Sequence, residues 1–168
     1  MAIRRASAAD FDAMWRIFEA VIAPGDAYVF GPDTSREDAR EYWFGPGVMA
    51  YVHEDATGRI GGMCKLVGNQ RDRGAHVANA SFMVEPSARG QGIGKQLAER
   101  CIEEARKAGF LAMQFNFVVS TNVAAVRLWT HMGFHIAGTL PGAFRHERLG
   151  LVDAYVMFRA LDDEPGPA

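Results

Sequence analysis

Two periods of apolar and polar positions run along this chain, and the switches between them mark its elements. Residues 2–5 read as a short strand. Ser7 then caps a helix in which Phe11, Met14, Trp15, Phe18, Val21 and Ile22 recur at helical spacing, until Pro24-Gly25 ends it. Asp33-Thr34-Ser35 caps a second helix that reaches about Phe44 and closes at Gly45-Pro46-Gly47. Residues 48–54 and 59–67 form a predicted hairpin through Ala56-Thr57-Gly58. A polar loop over 68–75 leads into a strand over 76–85. In that strand Ala78, Ala80, Phe82 and Val84 point one way, and Val77, Asn79, Ser81 and Met83 the other.

A third helix presents Ile93, Leu97, Ala98, Cys101, Ile102 and Ala105 on one face and stops at Gly109. The strand over 111–119 puts Leu111, Met113, Phe115 and Phe117 on one side, Gln114 and Asn116 on the other. A helix over 122–132 and a strand over 134–140 follow. Residues 141–150 read as a loop carrying Arg145, His146 and Arg148, residues 151–161 as a last strand, and 162–168 as a frayed, disordered tail. No repeat or linker divides the chain, and this order fits one α/β domain over 1–161 with a mixed sheet flanked by helices.

The densest chemical signal is the stretch from Phe82 to Leu97: a strand, a turn at Pro86, a glycine-rich basic loop, and a helix start. Gly92 and Gly94 lack side chains, so a ligand can approach the backbone N–H groups there, in a loop that also holds Gly90, Gln91 and Ile93. A helix leaves its first donors unsatisfied there and its dipole is positive, while Arg89 and Lys95 add charge. Such a site suits a pyrophosphate. It is not a P-loop, because Gly94-Lys95 is followed by Gln96 and Arg89 stands where the first glycine belongs. It is not a dinucleotide fingerprint either, since Lys95 holds the third glycine position.

What remains is Arg-x-x-Gly-x-Gly, as Arg89, Gly92 and Gly94, which resembles the acyl-CoA-binding motif of the GNAT N-acetyltransferase superfamily. A second segment, from Asn122 through Ala125, Leu128 and Trp129 to Gly133-Phe134, is similar to the family's Asn-x-x-Ala-x-x-Leu-Tyr-x-x-x-Gly-Phe pattern. The resemblance implies a GNAT fold with six to seven strands and about four helices. It implies acetyl-CoA as acyl donor, held by Met83, Val84, the 89–95 loop, Asn122 and Trp129, and a homodimer. A backbone N–H near Met83 or Val84 would hold the thioester carbonyl and stabilise the oxyanion that forms from it.

Composition narrows the remainder. With 168 residues, one domain with a real core is expected. Eighteen basic and 20 acidic residues give a charge of −2 without any basic run, so no nucleic-acid surface is expected. Cys64 and Cys101 make neither a metal-binding pair nor a disulfide framework, and no metal is expected. Nothing reads as a membrane span or signal peptide, which makes a soluble cytoplasmic protein the default.

The resemblance implies direct attack of an amine on the thioester. A lysine-like amine with a pKa of about 10.4 is protonated at pH 7, so a proton must leave first. The sequence offers no obvious general base: Glu85, His76, His135 and His146 are candidates, and for each the structural reading outweighs the catalytic one. Asn79 and Asn116, on strands bordering the expected thioester gap, either serve substrate and an ordered water or satisfy each other. Asn122 either touches the pantetheine chain or caps its helix. Trp129 stands where many family members carry a tyrosine that protonates the leaving thiolate, and an indole N–H cannot do that at neutral pH. Cys64 would matter only for a ping-pong route.

The segments 65–70, 76–80 and 115–117 resemble a narrower subgroup, acting on the proline analogue azetidine-2-carboxylate. That likeness implies a small amino- or imino-acid acceptor whose carboxylate meets Lys65 or Arg145, or leaves both as surface charge. Two other readings stay open: a peptide or protein N-terminal acetyltransferase, and a CoA-binding sensor without catalysis.

Overall fold

The computed structural model describes residues 2–161, so the tail expected over 162–168 lies outside the described residues. Its order is β1 (Ala2–Arg5), α1 (Phe11–Ile22), α2 (Arg36–Phe44), β2 (Met49–Glu54), β3 (Ile60–Gly68), β4 (Val77–Val84), α3 (Ile93–Lys107), β5 (Ala112–Val119), α4 (Val123–His131), β6 (His135–His146) and β7 (Gly150–Ala160). The strands form one seven-stranded sheet in the order β1-β2-β3-β4-β5-β7-β6. Every pairing is antiparallel except β4 with β5.

The helix ends follow their capping chemistry. Ser35 accepts from the Asp38 amide at 3.0 Å to start α2. Ser7 opens a capping box with Asp10, but the box starts a short 3-10 turn, and α1 follows from Phe11. Asp10 is itself buried, held by two Arg4 nitrogens at 2.9 and 2.8 Å.

Two apolar clusters sandwich the sheet. One packs α1 and α2 on the side of Val52, Met63 and Met83; the other packs α3 and α4 on the side of Cys64, Ala78, Ala80 and Met113. All six residues read as the apolar face of α3 are buried. The N-terminus of α3 sits close against β3 because Gly62 leaves room. A Cβ there would lie 2.8 Å from the Ile93 side chain and 3.2 Å from the Met83 carbonyl. No helix among the described residues is long and apolar enough to cross a membrane.

Three expectations are corrected. Residues 141–150 are not a loop: β6 runs through Pro141 to His146, and only residues 147–149 turn the chain into β7. Pro141 is tolerated because β6 is the outer strand and its register with β7 shifts between Leu140 and Phe144. The alternation along β5 also breaks, where the register with β7 shifts between Phe115 and Val118. Leu111 precedes β5 and is 58% exposed.

Candidate active site

The central feature is where β4 and β5 stop pairing. Their parallel ladder comprises only Val77 with Ala112 and Ala78 with Met113. Beyond it the strands part, and a cavity of about 240 Å³ opens between them. Residues from both faces of the sheet line it. Tyr28, Phe30, Tyr42, Asn79 and Ser81 come from the α1–α2 side, Asn122, Ala125 and Trp129 from the α4 side, with Phe115 to Val119 of β5 as one wall. None of its lining residues is an Asp, Glu, Lys, Arg or His.

The free edge of β4 faces this space, and strand geometry fixes which amides it presents. The Glu85 N–H donates across to the Gly61 carbonyl of β3 at 3.0 Å. Alternation therefore turns the Met83 amide toward β3 as well, and the amides of Phe82 and Val84 toward the gap. The Phe82 N–H does point there, donating to the Tyr28 hydroxyl at 3.0 Å. Tyr28 donates in turn to the Phe82 carbonyl. Of the two amides named from the sequence, only that of Val84 faces the gap; the Met83 side chain is buried in the α1 cluster.

Four side-chain amides form one hydrogen-bonded chain on one side of the cavity. Asn79 and Asn116 both donate to Asn69 Oδ1, at 3.1 and 2.7 Å, and Gln114 donates to Asn116 Oδ1 at 2.8 Å. The side chains thus satisfy one another while Asn79 and Asn116 still line the cavity. Nearby, Tyr42 and Ser81 share a hydroxyl contact of 2.5 Å. The buried Lys65 stands behind Tyr42, donating to its carbonyl at 2.9 Å with Nζ 3.1 Å above its ring. Burial pulls the Lys65 pKa down to about 8 and pushes that of Tyr42 up.

Lys65 and Arg145 do not line the cavity; Arg145 is exposed on β6. Glu85 accepts from Arg59 at 2.5 Å, tying the end of β4 to the β2–β3 turn. His146 Nδ1 accepts from the Arg148 amide at 3.1 Å in the β6–β7 turn, and neither His76 nor His135 lines the cavity. Cys64 is fully buried against α3, with Sγ 4.0 Å from the Leu97 carbonyl.

The glycine loop follows β4 directly. Gly90 and Gly92 have φ of 80° and 78°, conformations that disfavour any residue with a Cβ. Gly92 is the N-cap of α3 and supplies no side chain, so the amides at the start of α3 keep their donors for another partner. Arg89 is exposed without a side-chain partner among the described residues, and Lys95 lies 3.7 Å from Glu99. Open donors, two small residues and two exposed cations fit a diphosphate. On α4, Asn122 accepts from the Ala125 amide at 3.2 Å as the helix cap and also lines the cavity. Trp129 is buried among Phe82, Phe115 and Phe134 as a wall.

Sequence reading missed Tyr28, Phe30 and Tyr42 as site residues. Tyr28 and Tyr42 reach β4 from 54 and 39 positions away, and the signal for Tyr28 and Phe30 was an aromatic pair in a glycine- and proline-rich connection with no helix face to bury.

Known proteins resemble this chain in sequence and fold. Residues 12–134 match the acetyltransferase (GNAT) family. The N-acetyltransferase aca1 of Schizosaccharomyces pombe is 32% identical, aligned over 84% of this chain and 77% of its own length. The L-amino acid N-acyltransferase MnaT of Escherichia coli is 29% identical over 84% and 83%. Among solved structures, a GCN5-related N-acetyltransferase from Kribbella flavida superposes with a TM-score of 0.90 at 41% identity, covering 95% of this chain and 96% of that one. The yncA protein of Salmonella typhimurium, solved with its cofactor acetyl-CoA, gives 0.81 at 26% identity, covering 100% and 98%.

Proposed function

The chain belongs to the acetyltransferase (GNAT) family and is an acyl-CoA-dependent N-acetyltransferase, and from that premise we propose that its acceptor is a small amino or imino acid. The observation that carries this reading is the parting of β4 from β5 into a cavity lined from both faces of the sheet. Its volume, about 240 Å³, falls below the roughly 300–1,000 Å³ of pockets that take drug-sized ligands, which favours a small acceptor over a polypeptide. The amino-acid acceptor of the E. coli relative supports the same class, and the azetidine-2-carboxylate likeness supports its cyclic members.

In this reading acetyl-CoA enters on the α3–α4 side. Its diphosphate lies on the amides of residues 90–95 between Arg89 and Lys95, its pantetheine passes Asn122, and Trp129 walls the thioester. The Val84 amide holds the thioester carbonyl and meets the oxyanion as it forms, a contact worth about 2.7–4 kcal/mol where such donors have been removed. The acceptor enters on the α1–α2 side, where Asn79 and Asn116 orient it. The ammonium releases one proton to reach the free amine. The amine nitrogen then bonds to the carbonyl carbon, the C–S bond breaks, and the second proton lost from nitrogen balances the one taken up by the thiolate sulfur. With no carboxylate, imidazole or cationic side chain in the lining, Asn79 positions the amine and an ordered water, and the water carries these protons.

A second copy of the chain is the proposed partner. Ile136, Leu140, Leu149 and Leu151, exposed on β6, β7 and their turn, offer an apolar surface for it.

Release of free thiol from acetyl-CoA over a panel of amino acids, imino acids and short peptides tests the assignment. The expected outcome is turnover with one or more amino or imino acids. Turnover with peptides alone would overturn the acceptor class, and tight acetyl-CoA binding without release from any acceptor would overturn catalysis.

A further inference from the structure

Tyr28 is the only residue whose side chain takes both backbone hydrogen-bonding groups of a single β4 residue on the gap edge, among the described residues. Its backbone has φ of 63°, a left-handed conformation that costs a side-chain-bearing residue about 1–2 kcal/mol. Strain of that kind persists where the surroundings fix it, and it concentrates at functional sites. Here the fixing contacts are the Phe82 backbone and stacking of the Tyr28 ring on Phe30, with centroids 6.4 Å apart.

The hydroxyl's bonding leaves it one role toward a substrate. A phenol has a single proton, and that proton is committed to the Phe82 carbonyl. One acceptor position takes the Phe82 N–H at 3.0 Å. What remains for the cavity, which Tyr28 lines, is a lone pair. Burial pushes the Tyr28 pKa up, so the hydroxyl stays neutral and keeps its proton.

An attacking amine must keep its own lone pair free. A donor aimed at the nitrogen would occupy that pair; an acceptor that takes one N–H instead turns the pair away from itself. The spacing fits as well. Phe82 and Val84 lie on the same edge, about 6.8 Å apart at a strand's rise per residue. That span accommodates an amine held at the first position and a carbonyl at the second, with reacting atoms about 3–3.5 Å apart.

We propose that Tyr28 positions the acceptor: its hydroxyl accepts an N–H of the free amine and orients the nitrogen lone pair toward the thioester carbonyl at Val84. This rests on acetyl transfer through the β4–β5 gap, as set out above.

Tyr28→Phe keeps the ring and removes the hydroxyl. With an acceptor that the wild type turns over, kcat/KM for that acceptor should fall about 10- to 100-fold. The acetyl-CoA dissociation constant should stay within about twofold. The pH profile of kcat/KM should keep its midpoint and lose height, since a held amine changes the plateau and not the titration. An acceptor kcat/KM within twofold of wild type overturns the proposal. So does a parallel loss of acetyl-CoA binding, which would make Tyr28 a strut for β4. A shifted midpoint also overturns it, by making the hydroxyl a proton carrier. A wild type that acetylates nothing overturns the transfer reading itself, whereas an active wild type with an unaffected variant overturns only the role of Tyr28.

Discussion

Asn79 and Asn116 donate to the same atom, Oδ1 of Asn69, at 3.1 and 2.7 Å, although the strands that carry them have stopped pairing. One loop amide therefore sets the orientation of two cavity-lining amides at once. Asn69→Ala should lower kcat/KM for the acceptor about tenfold, the cost of roughly one lost hydrogen bond, and leave the acetyl-CoA dissociation constant unchanged. Asn69→Asp, which keeps the accepting oxygens, should retain most of the activity. Steady-state kinetics with both substrates varied decides it, and equal effects on both substrates would count against the arrangement.

Arg89 is exposed beside donors that have no partner from the side chain of the helix cap. Arg89→Glu should raise the acetyl-CoA dissociation constant tenfold or more at low ionic strength, with the deficit shrinking as salt screens the charge. Turnover at saturating acetyl-CoA should hold. Isothermal titration at two salt concentrations measures this, and an unchanged constant would remove the diphosphate from the loop.

Trp129 makes ring contacts to Phe82 and Phe115, with centroids 4.8 and 4.7 Å away. Its contribution is shape, so Trp129→Phe should keep turnover within about threefold. Trp129→Ala should cost about 3–5 kcal/mol of stability in a denaturant melt. A large loss of turnover in a well-folded Phe variant would give the indole N–H a chemical part.

Burial holds the Lys65 pKa at about 8, against 10.5 for a solvated lysine. Between those values the unfolded chain carries a proton that the folded chain has released, so stability from this group rises with pH across that window. Below pH 8 both states are protonated and the cost of burying the cation is present in full. The stability difference, wild type minus Lys65→Met, should grow between pH 8 and 10.5 and stay flat from pH 6 to 7.5. Urea melts along that series read the difference directly.

The elements that local pattern reveals are those that bury one face against the sheet. Helix α3 is the clearest case: Ile93, Leu97, Ala98, Cys101, Ile102 and Ala105 share a face by spacing alone, and all are buried. The turn from strand into helix through the glycine loop was likewise legible, but the positive φ of Gly90 and Gly92 was not, since the sequence gives the residue type and not its backbone angle. Strand β6 was not. Pro141 normally breaks a strand, and only the partner's register shift on an outer edge makes it acceptable. The break in β5 between Phe115 and Val118 is similar, since it depends on how β7 pairs and not on β5 itself. The α1–α2 side of the cavity was the least legible, as Tyr28 and Tyr42 reach β4 through contacts 54 and 39 positions apart that leave no local period.

The brief β4–β5 ladder has a mechanical consequence. With only two rungs between them, β1 to β4 and β5 to β7 form two leaves that meet along a short spine. A molecule lodged in the cleft touches both leaves and straps them together. Occupancy should therefore stiffen the protein as a whole, slowing amide exchange in β5 and β7 well beyond any residue the ligand contacts.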